Sequence, residues 1–257
     1  MKPKKSLGQN FLMHRRIAER IADAGDLSKT DTVLEIGPGT GMLTRALLER
    51  AGKVVAVEAD GELVTELKKT FASEITIGSL TLVHDDIRKF DPSMLGTYSL
   101  IANIPYYITG EIIRMFLTAE AKPSSMTLLV QKEVAERVAR AKKESLLSLS
   151  VKVYGTPKYQ FTVPRGAFRP APNVDSAVLT ISDIHGAFAS RSEETAFFEV
   201  LRAGFAHKRK LLAGNLAVLA PATKIASAFN EARIPEKARS EDVPLAGWRS
   251  LASALST

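Results

Sequence analysis

A glycine-rich loop at residues 37–41 (Gly-Pro-Gly-Thr-Gly) constrains the fold of this chain more than any other sequence feature. It directly follows a short, apolar, β-branched segment at residues 32–36, which this pattern predicts to be a buried strand. Glycines at the carboxyl end of a strand let the backbone approach a ligand that a β-carbon would exclude. The spacing is Gly-x-Gly-x-Gly, which differs from the Gly-x-Gly-x-x-Gly loop of dinucleotide-binding domains. The loop therefore predicts a nucleotide-like ligand that does not need a full phosphate cradle.

Strand-like and helix-like segments alternate through the first half of the chain, which predicts a parallel sheet with helices on both faces. The predicted strands span residues 32–36, 53–58, 80–84, 99–103 and 126–130. The predicted helices span residues 42–51, 61–71, 108–118 and 133–140. Residues 159–163 and 177–181 are expected to form an antiparallel edge, whereas residues 145–154 fit a strand or a helix. Beyond residues 182–190 the apolar spacing is helical throughout, so we place a domain boundary there.

Composition excludes several classes of site. The chain has 257 residues and no cysteine, which rules out disulfides, thiolate zinc sites and cysteine nucleophiles. Its four histidines are scattered, so no metal site is expected. No apolar stretch reaches the roughly 18 residues of a membrane span and no signal peptide is visible, which leads us to expect a cytoplasmic location and no membrane partner. The 35 Lys and Arg exceed the 28 Asp and Glu, and the resulting charge of +7 suits a polyanionic partner.

Two acidic residues follow the loop at the ends of later predicted strands. Glu58 closes the second strand, where its carboxylate would accept hydrogen bonds from both hydroxyls of a ribose. Asp86 comes just after the third strand and could accept from the amine of the adenine in the same ligand, with Asp85 as the competing position. The methionyl tail of S-adenosylmethionine carries no phosphate, so the loop suits this cofactor. An ordinary strand-to-helix turn with a strand-end glutamate remains an alternative for this part of the sequence alone.

Residues 103–106 (Asn-Ile-Pro-Tyr) follow the fourth predicted strand and indicate what such a cofactor would be used for. The amine of adenine is a poor nucleophile because its lone pair is delocalised into the ring. Hydrogen bonds from that amine to the Asn103 side-chain oxygen and the Ile104 carbonyl would favour a pyramidal nitrogen. Pro105 would stiffen the turn, and Tyr106 would offer a stacking face. Together with the loop, the turn predicts methylation of adenine N6, although such a tetrapeptide alone is commonly just a turn.

Seven stretches of the chain match a known family in combination. They lie at residues 8–12 (Gly-Gln-Asn-Phe-Leu), 33–41 (Val-Leu-Glu-Ile-Gly-Pro-Gly-Thr-Gly), 57–60 (Val-Glu-Ala-Asp), 103–106, 131–134 (Gln-Lys-Glu-Val), 168–170 (Phe-Arg-Pro) and 174–178 (Val-Asp-Ser-Ala-Val). With them the chain resembles the small-subunit ribosomal RNA adenine N6,N6-dimethyltransferases over nearly its whole length. Three stretches depart from the usual family pattern: Asp85 before Asp86, residues 165–166 before Phe168, and residues 213–214 in the helical region.

The resemblance implies a fold, a cofactor and a set of site residues. The fold is α/β, with a seven-stranded Rossmann-like S-adenosylmethionine-dependent methyltransferase domain at residues 1–183 and a small C-terminal helical RNA-binding domain at 184–257. The implied cofactor-binding residues are Asn10, Leu12, Gly37, Gly39, Glu58, Asp86 and Asn103. The implied catalytic residues are Asn103, Ile104, Pro105, Tyr106 and Phe168. Phe168 would face Tyr106 across a flipped adenine, although alone it would be interpreted as a loop aromatic filling a gap in the core.

Basic residues form three patches, each of which could equally be an ordinary solvated surface. Beside a base-modifying site they are expected to bind phosphates. The candidate RNA contacts are Lys4, Lys5, Arg140, Lys208, Arg209 and Lys210.

The family implies that a monomer methylates two adjacent adenines near the 3′ end of small-subunit rRNA, within a pre-assembled small subunit. Two alternatives remain from the sequence. One is a large-subunit rRNA adenine methylase of the macrolide-resistance type, against which the stretch at residues 174–178 argues. The other is a binding factor for ribosome assembly or transcription, which the intact Glu58, Asp86, Asn103 and Tyr106 make a poorer fit.

Overall fold

The computed structural model describes residue 4 and residues 8–256, and its contacts divide the chain into two compact units. The first unit comprises Met1–Ala139 and Gly155–Ile184, and the second comprises Arg140–Tyr154 and His185–Thr257. The domain boundary expected after residue 183 lies next to the last of these junctions. Residues 140–154, however, group with the C-terminal residues and not with the sheet. The separate roles of the two domains stay a prediction.

The first unit is built on a seven-stranded sheet in the order β4-β3-β2-β5-β6-β9-β7, together with a small sheet in which β1 pairs with β8. The strands are β1 (Phe11–Leu12), β2 (Thr32–Ile36), β3 (Lys53–Glu58), β4 (Leu80–His84), β5 (Ser99–Asn103), β6 (Ser125–Gln131), β7 (Thr156–Val163), β8 (Phe168–Arg169) and β9 (Ser176–Ser182). The five strands from β2 to β6 run parallel, and β9 is antiparallel to both β6 and β7. The predicted parallel sheet with an antiparallel edge is therefore confirmed.

Sequence pattern explains the sheet. The strands β2, β3, β5 and β6 contain continuous runs of buried residues, which is expected where helices cover both faces of a parallel sheet. The helices of this unit are α1 (Arg15–Ala24), α2 (Met42–Leu48), α3 (Gly61–Thr70), α4 (Ala72–Thr76), α5 (Thr109–Thr118) and α6 (Lys132–Ala139). The sequence analysis did not predict α1, which buries Ala18, Ile21 and Ala22 against the core.

The second unit is helical. Its helices are α7 (Leu146–Lys152), α8 (Arg191–Gly204), α9 (Leu212–Leu216), α10 (Ala222–Glu231) and α11 (Leu245–Ser256). Trp248 of α11 is fully buried and stacks on Phe205, with ring centroids 5.3 Å apart. A β-carbon at Gly204 would lie 2.3 Å from the Trp248 ring, so only glycine fits there. Within the described part of the chain, no helix is long and apolar enough to cross a membrane.

Residues 145–154, which the sequence left between strand and helix, contain α7. Ser145 accepts a hydrogen bond from the Ser148 amide at 3.1 Å, and the Ser148 hydroxyl accepts from the Ser145 amide at 2.7 Å. This reciprocal pair is a capping box, which satisfies two amides at the start of the helix. The cap therefore favours the helix over the strand.

Candidate active site

The carboxyl ends of four neighbouring parallel strands, β4, β3, β2 and β5, surround one cavity in the first unit. Ile36 of β2 pairs with Ala102 of β5, so Gly37 and Asn103 emerge side by side. The chain continues from β2 to β3 and β4 on one side and returns to β5 on the other, so the strand order reverses here. Open α/β sheets bind their ligands in the crevice at such a point. The strand order therefore accounts for the position of the cavity.

The glycine loop lines this cavity with its backbone. Gly37, Gly39 and Gly41 all have positive φ values, of 64°, 60° and 82°. Apart from Gly37 itself and its two neighbours in the chain, no described atom lies within 4 Å of the position that a β-carbon on Gly37 would occupy. At Gly41, by contrast, a β-carbon would lie 2.5 Å from the ring of Phe71. Gly41 is thus needed for packing, whereas Gly37 leaves open space where a ligand can approach the backbone.

Glu58 ends β3 with its carboxylate held by backbone amides. One oxygen accepts from the Gly39 amide at 3.1 Å and the other from the Asp60 amide at 3.0 Å. Burial raises the pKa of Glu58, and the hydrogen bonds from these amides only partly offset that effect. Each carboxylate oxygen has a second lone pair. The predicted contact with two ribose hydroxyls is therefore chemically available, and it stays a prediction.

Glu35 is a second carboxyl group in the cavity wall, and the sequence analysis assigned it no role. It lies on β2, is 1% exposed, and has no hydrogen-bond partner on either carboxyl oxygen within the described chain. Burial raises the pKa of Glu35 to about 8, and the nearby charge of Glu58 adds to this effect. The available sequence signal was one acidic residue in an otherwise apolar strand beside the loop.

Asp85 and Asp86 both line the cavity after β4, so the structure does not choose between the two positions. The Asp86 carboxylate is paired with the Arg88 guanidinium, whose Nε lies 2.9 Å from Oδ1 and 3.1 Å from Oδ2. Hydrogen bonds from Arg88 lower the pKa of Asp86 to about 2. Asp85 instead accepts from the Asp86 amide at 2.7 Å. The predicted contact of Asp86 with an adenine amine stays a prediction, and Arg88 already occupies part of that carboxylate.

The N-terminal segment at residues 8–12 lines the cavity together with the glycine loop and the Asn-Ile-Pro-Tyr turn. The Asn10 backbone carbonyl accepts a hydrogen bond from the Asn103 side-chain nitrogen, Nδ2, at 3.1 Å. A β-carbon at Gly39 would lie 3.1 Å from the Phe11 ring, so the segment also packs on the loop. Leu12 is 5% exposed and packs in the core. Asn10 and Leu12 thus line the cavity beside the glycine loop, and their contact with the cofactor stays a prediction.

Asp60 ties the same segment to α3, a role that the sequence analysis missed. Its carboxylate accepts from the Gln9 side-chain amide at 3.1 Å and from the Lys4 ammonium at 2.7 Å, and it also caps α3. The Lys4 ammonium lies 3.1 Å from Glu62 as well. An RNA contact by Lys4 stays a prediction, and it would have to share an ammonium already paired with two carboxylates. Lys5 lies outside the described residues.

The Asn-Ile-Pro-Tyr turn begins at the last residue of β5 and leads into a short 3₁₀ helix at Tyr106–Ile108. Asn103 is half-buried, and no residue that the structure describes donates to its side-chain oxygen. Tyr106 is also half-buried, lines the cavity, and shares a 2.6 Å hydrogen bond with the Ser176 hydroxyl. Ser176 belongs to the stretch at residues 174–178, which the sequence analysis used only to identify the family.

Phe168 does not line the cavity in the part of the chain that the structure describes. It pairs with Leu12 across the two-stranded sheet, is 5% exposed, and packs in the same core group as Val163. Its side chain thus fills the core, which is the alternative that the sequence left open. Stacking of Phe168 on a flipped base stays a prediction that would require its ring to become accessible.

The candidate RNA-binding residues of the second unit lie outside its helices. Lys208, Arg209 and Lys210 are exposed in the turn between α8 and α9. The buried Asn215 side chain donates to the carbonyls of Gly204 at 2.6 Å and His207 at 3.1 Å, which fixes the start of that turn. Arg140 is exposed at the first residue of the unit. Their contact with RNA stays a prediction.

Comparison with known proteins finds one matching family and similar proteins that share one name. The family described as ribosomal RNA adenine dimethylase matches residues 1–256. A ribosomal RNA small subunit methyltransferase A of Dehalococcoides mccartyi is 42% identical over 98% of this chain and 88% of its own length. A protein of the same name from Fusobacterium nucleatum is 37% identical over 95% of this chain and 94% of its own length.

Two solved structures of methyltransferases superimpose on nearly the whole of this chain. A dimethyladenosine transferase from Plasmodium falciparum superimposes with a TM-score of 0.80 at 27% identity, covering 94% of this chain and 95% of that chain. The 23S rRNA methyltransferase ErmE superimposes with a TM-score of 0.77 at 25% identity, covering 96% and 100%. The predicted Rossmann-like methyltransferase fold is thereby confirmed.

Proposed function

Because the chain belongs to the ribosomal RNA adenine dimethylase family, we propose that it transfers methyl groups from S-adenosylmethionine to N6 of two adjacent adenines near the 3′ end of small-subunit rRNA. It is an rRNA (adenine-N6,N6)-dimethyltransferase. Relatives named ribosomal RNA small subunit methyltransferase A are 37–43% identical to it. Their names favour the small-subunit substrate over the large-subunit alternative.

The orientation of the Asn103 side chain carries the proposal for the chemistry. Its amide nitrogen donates to the Asn10 carbonyl at 3.1 Å, which turns the side-chain oxygen away from that carbonyl. An amide oxygen is an acceptor only, and an adenine amine is a donor. The side-chain oxygen of Asn103, which lies in the cavity wall, is thus available to accept a hydrogen bond from N6. A hydrogen bond from N6 to this oxygen and a second to the Ile104 carbonyl hold the nitrogen pyramidal.

Methyl transfer in such a site depends on positioning. N6 would take the methyl group with S-adenosylhomocysteine as the leaving group, while the Asn103 side-chain oxygen and the Ile104 carbonyl would hold N6 in position. The N6 proton would pass to water after the nitrogen has become cationic, so no general base is required before the bond forms. Pro105 restricts the turn by fixing φ, and Tyr106 supplies the stacking face, worth about 1–3 kcal/mol per base.

The cavity residues fit S-adenosylmethionine. The open space beside Gly37 admits a ligand close to the backbone, and Glu58 presents free lone pairs on a fixed carboxylate. Asn10, Leu12, Gly37, Gly39, Glu58, Asp86 and Asn103 would hold it. When bound, the cofactor supplies the electrophilic methyl group. No phosphate is involved, which suits the Gly-x-Gly-x-Gly loop.

Replacement of Asn103 by Ala tests the proposed role of its side chain. Asn103→Ala removes the acceptor for N6, and a hydrogen bond aimed at a transition state is worth about 2.7–4 kcal/mol, roughly a hundredfold or more in rate. We expect a loss of this size in the single-turnover rate of methyl transfer to isolated small subunits. Subunit affinity should change much less.

Asn230→Ala serves as the matched control, because Asn230 is exposed on α10 in the second unit. It should leave the rate unchanged. A single-turnover rate of Asn103→Ala within threefold of wild type would remove Asn103 from the mechanism.

The second unit supports RNA binding through the exposed turn at residues 208–210, and the enzyme acts as a cytoplasmic monomer on a pre-assembled small subunit. Mapping labelled methyl groups after incubation with isolated small and large subunits tests this substrate. We expect label at two adjacent adenines near the 3′ end of the small-subunit rRNA. Label on large-subunit rRNA, or on free small-subunit rRNA as readily as on subunits, would contradict the proposed substrate.

A further inference from the structure

We propose that Ser176 is a positioning residue for methyl transfer, because its hydroxyl anchors the Tyr106 ring at the base-binding turn. This inference rests on the proposed function, since it requires Tyr106 to stack on the target adenine. Ser176 would not touch the substrate. It would act through Tyr106 by fixing the ring that the base stacks on.

The contact joins a catalytic turn to a rigid support. The two hydroxyl oxygens lie 2.6 Å apart, which is a short hydrogen bond between hydroxyl groups. Ser176 is fully buried, whereas Tyr106 is half-buried and lines the cavity. The hydrogen bond therefore attaches the far end of the ring to the protein interior and leaves the rest of the ring at the cavity.

Ser176 is itself well fixed, because it opens the central antiparallel strand β9. It pairs with Gln131 of β6 on one side and with Val163 of β7 on the other. The preceding residue, Asp175, accepts from the Lys132 amide at 3.0 Å through its carbonyl and from the Arg165 amide at 2.9 Å through its carboxylate. Both neighbours in the sheet and the preceding residue thus restrain the serine.

Tyr106 needs such an anchor because its own backbone provides little restraint. The 3₁₀ helix that carries it contains three residues, and helices of this kind have poorer hydrogen-bond geometry than α-helices. Stacking on a base depends on the tilt of the ring, and an unanchored phenol ring beside an open cavity can rotate. Burial raises the pKa of Tyr106, and the charge of Asp175 adds to this effect while the Ser176 hydrogen bond opposes it. The Tyr106 hydroxyl therefore stays protonated at neutral pH and remains able to donate.

A double-mutant cycle tests the proposal. Ser176→Ala and Tyr106→Phe each remove one half of the hydrogen bond while keeping the ring. We expect each to lower the single-turnover rate by about three- to tenfold, the range that a net hydrogen bond provides. The double variant should be no slower than the slower single variant, because the bond is already absent. KM for small subunits and the affinity for S-adenosylhomocysteine should stay within about twofold.

Tyr159→Phe provides the matched control. The Tyr159 hydroxyl also lies 2.6 Å from a hydroxyl, that of Thr162, but on β7 and not in the cavity wall. It should leave the transfer rate unchanged even where the thermal midpoint falls. If Ser176→Ala folds poorly, as its thermal midpoint and S-adenosylhomocysteine affinity would reveal, Tyr106→Phe against Tyr159→Phe still decides the question.

The outcomes separate this inference from the proposed function. If wild-type protein methylates no adenine in small subunits, the proposed function fails. If wild type is active but the rate losses of the two single variants multiply in the double variant, the hydroxyls act independently and the positioning role is overturned. A wild-type rate for Ser176→Ala or for Tyr106→Phe would overturn it as well.

Discussion

The buried carboxyl group of Glu35 makes the stability of this protein depend on pH in a way that one substitution should remove. The pKa of Glu35 is raised from its ordinary value of 4.5 to about 8 by burial. Below pH 4.5 the carboxyl group of Glu35 carries its proton in both the folded and the unfolded chain, so its ionisation does not change the free energy of unfolding. As the pH rises toward 8, the unfolded chain releases a proton that the folded chain retains, and stability is lost. At about 1.4 kcal/mol per pKa unit, the loss amounts to roughly 3–5 kcal/mol.

Glu35→Gln keeps the size of the side chain and abolishes its titration. We expect the variant and the wild type to have similar free energies of unfolding near pH 4.5, and the variant to be more stable by roughly 3–5 kcal/mol above pH 8. Urea denaturation of both proteins across this range measures the difference directly, because the titration of groups that do not interact with Glu35 cancels. Glu120→Gln, at an exposed position after α5, is the control and should leave the pH dependence unchanged. A difference between the Glu35→Gln variant and wild type that stays constant within about 1 kcal/mol across this range would refute the reasoning, because Glu35 would then ionise without a burial cost.

Two further predictions concern the cofactor and the RNA. Glu58→Ala should weaken the binding of S-adenosylhomocysteine roughly ten- to hundredfold, since a charge-assisted hydrogen bond contributes about 1.5–3 kcal/mol; calorimetry that gives unchanged affinity would mean that Glu58 serves only to hold the amides of Gly39 and Asp60. Replacing Lys208, Arg209 and Lys210 together by Ala should leave cofactor affinity unchanged, weaken small-subunit binding, and make its salt dependence shallower by up to about 0.7–0.9 per lost phosphate contact; wild-type affinity and salt dependence would identify the turn as ordinary solvated surface.

The elements of the sheet could be predicted from the sequence because their signals are local. The strands β2, β3, β4 and β5 have the bounds that their apolar runs indicated, and the loop glycines mark the end of β2. The helix α7 was ambiguous because its apolar residues fit both periods. The capping box formed by Ser145 and Ser148 favours the helix. In the sequence, a serine three residues after the N-cap serine is a weaker sign of a helix start than the usual glutamate at that position.

The residues that complete the site were harder to predict because their partners are distant in sequence. Ser176 is 70 residues from Tyr106, and Asp60 is 51 residues from Gln9. The position of Phe168 follows from the pairing of β8 with β1, and a two-residue strand carries no periodicity that a sequence could reveal. The resemblance gave a list of residues for the cofactor and the base. The contacts that orient those residues depend on tertiary structure.

Strand pairing sets the distance between the two halves of this site, whereas long-range contacts set their orientation. Gly37 follows β2 and Asn103 ends β5, and paired strands lie about 4.8 Å apart. The sheet therefore holds the glycine loop beside the proposed acceptor for N6 irrespective of the surrounding side chains. The amide of Asn103, however, takes its orientation from the Asn10 carbonyl, and the ring of Tyr106 takes its position from Ser176. A substitution that alters either contact should thus change the rate of transfer with little effect on the fold, because neither contact contributes to the pairing of β2 with β5.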